Sequence, residues 1–143
     1  MEYLSSSQLD ALKDEIQRNR DQTKFRVYSE LNPELSVHPL YSSPEYIPDF
    51  VRQSFSRLRL QSHSLKVETG RWSRIPREQR LCDRCDAGAV QDEAHVLIAC
   101  TYTEPIRQRY QNLDFATTAG LLGDGNYHRN VAEYIHEVLR CLI

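Results

Sequence analysis

The stretch LCDRCDAGAVQDEAHVLIAC (residues 81–100) decides how this chain is read. It holds three of the four cysteines and one of the five histidines of a 143-residue sequence. They fall in the pattern C-x2-C-x9-H-x4-C at Cys82, Cys85, His95 and Cys100. A two-residue gap lets both thiolates of a tight turn point at one ion, and a second pair from a separate segment completes a tetrahedron. Three sulfurs and one imidazole form a closed, soft donor set, which selects zinc over magnesium or calcium. The competing reading of Cys-x-x-Cys is a thioredoxin-like redox pair, which needs a βαβ setting with the first cysteine at a helix start. A helical chain does not supply that setting. Zn2+ is therefore the expected cofactor, with those four residues as ligands. The remaining cysteine, Cys141, lies in an amphipathic helical pattern and reads as a small buried hydrophobe. His38, His63, His128 and His136 have no partner at metal spacing, so no role is assigned to them.

Outward from this stretch the periodicity is helical. The last helix carries Val131, Tyr134, Ile135, Val138, Leu139 and Leu142 at steps of three and four, the clearest helical face in the chain. Thr103-Glu104-Pro105 reads as a helix start, with Ile106, Tyr110 and Leu113 on its apolar side. A helix from Pro48-Asp49 to about Leu60 places Val51, Phe55 and Leu58 on one stripe. At the N-terminus, residues 5–31 read as one helix carrying Leu9, Leu12, Ile16, Thr23, Val27 and Leu31. Ser7 and Asp10 resemble a capping box, and Asn32-Pro33 is the stop. Residues 32–48 contain four prolines and read as a connecting segment over the surface. Leu65 and Val67 alternate with polar neighbours, as in a short extended piece, and Asp124-Gly125 marks a turn. The expected fold class is mainly α: a small helical domain stapled by one structural, zinc knuckle-like site. Residues 1–48 form an N-terminal helix with a Pro-rich connection, and residues 49–143 form the zinc-binding domain.

Charge is unevenly distributed. Residues 1–51 have five Lys/Arg against nine Asp/Glu, net −4; residues 52–84 have nine against three, net +6; residues 85–143 have four against eight, net −4. Arg71, Arg74, Arg77 and Arg80 recur at every third position just before the cysteine pair. A basic centre between acidic flanks points to a polyanion partner, while arginines on solvated turns need none. Trp72 likewise has two readings, stacking on a base or packing in a core. The start, MEYLSSSQLD, lacks a basic region followed by an apolar one, so no signal peptide is expected. The longest apolar run is far too short for a membrane span. The expected location is intracellular, nuclear or cytoplasmic, with no membrane and no small-molecule substrate.

Catalytic motifs are absent from the sequence. No His is followed two residues later by Glu, so the deaminase signature is missing. His136-Glu137 lacks the second histidine of a zincin helix, and no nucleophile elbow or P-loop occurs. Four protein ligands leave no coordination position for a reacting water. The chain reads as non-catalytic.

Taken together, SRLRLQSHSLKVETGRWSRIPREQRLCDRC and VQDEAHVLIACTYTEPIR resemble the zinc-binding region C-terminal to reverse transcriptases of non-LTR retrotransposons. The matching features are the arginine-rich lead-in, the cysteine pair, the Asp92-Glu93 step before His95, and the helix after Cys100 carrying Arg107. The resemblance covers roughly residues 52–109. It implies zinc at Cys82, Cys85, His95 and Cys100, and a region that lies beside bound template or target nucleic acid without chemistry of its own. These 143 residues contain no polymerase or endonuclease portion, so the chain reads either as a fragment of a larger polyprotein or as a domesticated module. On this reading Arg52, Arg57, Arg59, Lys66, Arg71, Trp72, Arg74 and Arg77 are the candidate nucleic-acid contacts, to RNA or DNA. The alternative is a zinc-stabilised scaffold that docks a protein partner, or a second copy, through the acidic N-terminal helix and the C-terminal helix.

Overall fold

The computed structural model of the chain describes residues 5–18, 26–123 and 129–143. Eight α-helices are described: α1 Ser6–Arg18, α2 Arg26–Leu31, α3 Pro39–Ser42, α4 Asp49–Arg59, α5 Lys66–Trp72, α6 Glu104–Arg109, α7 Thr118–Leu122 and α8 Arg129–Leu142. A 3-10 turn at Arg77–Gln79 and a π-helical turn at His95–Ala99 lie between α5 and α6. Among the described residues no strand forms beyond a single antiparallel bridge between Leu81 and Val90. The mainly helical expectation is met.

The core is built on α4 against α8, the most extensive helix pair in the fold. Their stripes are the expected ones: Val51, Phe55 and Leu58 face Val131, Tyr134, Ile135, Val138 and Leu139, and all eight are buried. Asp49 in the first turn of α4 and Arg57 and Arg59 in its last turn complement the helix dipole.

The segment expected to lie over the surface does not. Leu31, Leu40 and Ile47 belong to the same buried cluster as Val51 and Phe55. His38 accepts from Leu40 N at 3.1 Å, capping α3, and its ring lies 4.8 Å from Phe55. Asn32, also buried, closes the turn after α2 by bonding both N and O of Ser36 at 2.9 Å. The boundary expected at residue 48 therefore runs through one core. Among the described helices only α1 lies outside it, with no buried residue. Its capping box is Ser5 with Gln8, each side chain reaching the other's backbone N–H, two residues earlier than expected from Ser7 and Asp10. The expected continuation through Thr23 and the Asp124-Gly125 turn lie outside the described residues.

The expected extended piece at Leu65 and Val67 is instead the start of α5. Its first N–H groups are satisfied by a distant residue: Lys66 N donates to Gln91 Oε1 at 3.0 Å and Val67 N to Gln91 O at 3.1 Å. Its end is a Schellman closure, with Ile75 N on Gly70 O at 2.8 Å and Arg74 in the left-handed region at φ 56°. That position usually belongs to glycine. Gly70 serves a different purpose. A Cβ there would sit 2.7 Å from Arg80 Cγ, so its absence lets the Arg80 stem lie against the helix.

Candidate metal centre and basic surface

The bridge between Leu81 and Val90 turns residues 82–89 into a knuckle. Cys82 N donates to Ala89 O at 2.8 Å and Gln91 N to Arg80 O at 2.9 Å, so the pairing extends across both ends of the loop. Gly88, at φ 62°, supplies the left-handed residue that the tight return needs. Cys82 and Cys85 sit in this loop. The other two candidates lie on the next segment. Asp92 opens it as an N-cap, with Oδ1 accepting from His95 N at 2.9 Å. The backbone then widens into a π turn, closed by Cys100 N on His95 O at 2.7 Å. That i→i+5 bond returns Cys100 to the side of the turn that carries His95. π turns of this kind are rare and occur mainly at functional sites.

The result is that one ligand atom from each of Cys82, Cys85, His95 and Cys100 lies within 4.8 Å of the others. Cys85 Sγ and His95 Nε2 are 3.3 Å apart. A tetrahedral zinc with sulfur at about 2.3 Å and nitrogen at about 2.0 Å has ligand–ligand edges of about 3.5–3.8 Å, so the donor set suits such an ion in type, and its spread lies within about 1 Å of those edges. The cysteines are free, not disulfide-linked. The four residues chosen from spacing form a cluster that could hold a metal.

The thiols differ in environment. Burial alone raises Cys82, but N–H donors from the Arg84 backbone and the Gln91 amide, at 3.7 Å, outweigh it and hold the thiol below its ordinary value. Burial lifts Cys100 to about 11, against the opposing backbone N–H groups of Tyr102 and Thr103. Burial also lowers His95, favouring the neutral ring that a metal ligand must present.

Sequence reasoning missed the shell that holds the cluster. Arg107 donates to Cys100 O at 2.6 Å and to Thr103 Oγ1 at 2.8 Å. Thr103 occupies the N-cap position of α6, but its hydroxyl does not cap the helix. It turns back to Val96 O at 2.7 Å and Cys100 O at 3.2 Å. Tyr134 of α8, fully buried, donates to Leu97 O at 2.6 Å. His63 bonds Glu93 Oε1 through Nε2 at 2.8 Å and accepts from Leu65 N at Nδ1, tying the start of α5 to the π-turn segment. Burial raises the Glu93 carboxyl, yet the bond from His63 outweighs it and leaves the group below its ordinary value. Glu93→Ala leaves a buried donor without an acceptor, and is expected to cost about 2 kcal/mol in chemical denaturation. The sequence marked Glu93, Arg107, Thr103 and Tyr134 for other reasons, as an acidic step, a helix residue, a helix start and an apolar stripe, and gave His63 no role; none of these bonds was legible in it.

The basic residues disperse. Arg59 is buried, its guanidinium 5.6 Å from the Phe55 ring centre. Arg71 pairs with buried Glu68 at 2.8 Å, Arg77 with Asp92 at 2.7 Å, and Lys66 with Asp83 at 3.0 Å. Arg80 donates to Ile75 O at 2.8 Å and Val67 O at 2.6 Å. Arg84 reaches Leu142 O at 3.3 Å and lies over the Tyr102 ring, so neither Arg80 nor Arg84 places its guanidinium on a sulfur. Arg52 is half-buried along α4, and Arg57, Trp72 and Arg74 are exposed. The period of three spans a helix end, a left-handed residue and a 3-10 turn, so the four arginines share no regular face.

No helix among the described residues is long and apolar enough to cross a membrane. Compared with family models, curated proteins and solved structures, the chain has no match in any of the three.

Proposed function

We propose that this chain is a non-catalytic, zinc-stapled module that binds RNA or DNA. The closed Cys3His cluster carries the reading: with four side-chain ligands converging on one point, a zinc ion has no open position for a reacting water and acts as a fold staple. The nucleic-acid part rests on the net +6 of residues 52–84 within an otherwise acidic chain, and on the resemblance to the region following retrotransposon reverse transcriptases. A nuclear or cytoplasmic location follows from that role. The competing scaffold reading would dock a partner through α1 or α8; the apolar face of α8 is buried against α4, which leaves α1, with no buried residue, as its docking helix.

Salt titration of binding to labelled RNA and DNA tests this reading. Phosphate contacts give a linear fall of log affinity with log salt, of about −0.9 per contact on duplex DNA. Arg74→Ala is expected to reduce the slope by about one contact, because Arg74 is exposed. Arg71→Ala should reduce it less, since Arg71 is tied to Glu68. Absent or salt-independent binding sinks the reading.

A further inference from the structure

The groove between α4 and α8 gathers cationic and aromatic side chains that the metal centre does not use. It encloses about 410 Å³, the size of a cleft that takes a small ligand or a nucleotide. Arg57 and Arg140 line it, both exposed and neither with a carboxylate partner among the described residues. Trp72, 68% exposed, and Phe50, 57% exposed, supply aromatic faces. His136 lies 4.9 Å from the Phe50 ring and is held at Nδ1 by Ser54 Oγ at 2.9 Å. No Asp or Glu is among the described residues lining the groove. The cleft beside Arg71, Arg77 and Arg80 is different, because Glu30, Glu68, Asp92 and Glu93 line it too. A polyanion entering that cleft meets carboxylates already present. In the α4–α8 groove it meets no Asp or Glu side chain among the described residues.

We propose that this groove seats single-stranded nucleic acid, with one base stacked on Trp72 and its flanking phosphates on Arg57 and Arg140. The proposal rests on the nucleic-acid reading above and adds to it a place and a strand state. An exposed indole beside unpaired arginines is the arrangement with which proteins hold unpaired bases without reading sequence. A duplex keeps its base faces stacked internally and leaves the indole without a partner.

Trp72 is the only tryptophan in the chain, so its emission reports directly on the groove. The zinc-loaded full chain would be titrated with end-labelled oligo(dT) and oligo(U) of about 10 nucleotides, following both tryptophan emission and label anisotropy. Quenching is expected to saturate in step with anisotropy. Trp72→Ala should weaken binding about tenfold. Arg57→Gln and Arg140→Gln should each reduce the log–log salt slope by about 0.7. The three side chains are exposed, so the variants should keep the wild-type thermal midpoint. If anisotropy rises while emission and all three variants stay unchanged, the groove assignment is overturned and the nucleic-acid reading stands. Tighter binding of the matching duplex, with the same dependence on Trp72, overturns the single-strand assignment. If no oligonucleotide raises the anisotropy, the nucleic-acid reading fails and the groove assignment fails with it.

Discussion

Removing the metal with a chelator, or replacing Cys100 by Ser, is expected to lower the thermal midpoint by about 10 °C or more and to abolish stoichiometric zinc. Structural zinc in small isolated fingers supplies on the order of 10 kcal/mol, because nothing else holds them folded. Here α4 and α8 own a core without the ion, so the far-ultraviolet signal of the helices should largely survive. The loss should fall on the knuckle, the π turn and α5, whose start is fastened by Gln91. Cys141→Ser is the control. Its Sγ is half-buried and already donates to Val138 O at 3.2 Å, a bond that serine can also make, so a change below about 1 kcal/mol is expected. Cys100 must surrender a proton that burial holds up to about 11, so zinc affinity should rise with pH through the neutral range. A purified chain with no zinc, or a midpoint indifferent to chelation, would refute the metal assignment.

The second large effect is expected at Tyr134. Its ring is fully buried between Tyr110, at 5.4 Å, and Phe115, at 5.2 Å, and its hydroxyl reaches Leu97 O. Tyr134→Ala removes both, and should cost about 3–5 kcal/mol in equilibrium unfolding. Tyr134→Phe separates the two contributions. It keeps the packing but leaves the Leu97 carbonyl without its donor, an expected cost of about 1–2 kcal/mol. Because Leu97 lies inside the turn that carries His95 and Cys100, the phenylalanine variant should also release zinc more readily to a competing chelator. Unchanged zinc retention in Tyr134→Phe would show that the turn holds its shape without α8.

Much of the framework was legible because it is written locally. The stripe of α8 repeats every three or four residues, and the metal ligands fit within one short stretch with an informative spacing. What stayed hidden depends on partners far along the chain. The start of α5 is capped by Gln91, 25 residues away, and its end is a left-handed arginine where glycine is the usual marker. A period-two pattern at Leu65 and Val67 then looked like a strand. The arginines are hard to read from sequence for a related reason. Composition counts them, but Asp92 neutralises Arg77 from 15 residues away and two backbone carbonyls take Arg80. His63 and Glu93, 30 residues apart, left no pairing signal at all. The groove residues Arg57, Trp72 and Arg140 come from three separate helices, and only folding places them together.

The pairing of α4 with α8 also imposes an order on synthesis. Ser54 and His136 are 82 residues apart, so as the chain leaves the ribosome α4 emerges long before the helix that covers it. The metal ligands, by contrast, span few residues and can close as soon as Cys100 is available, at little loop-closure entropy. The knuckle is therefore expected to form first and to act as the landing site onto which α8 docks through Tyr134. Until then the side of α4 that meets α8 stands uncovered, a window in which a nascent chain is exposed to chaperones and to aggregation.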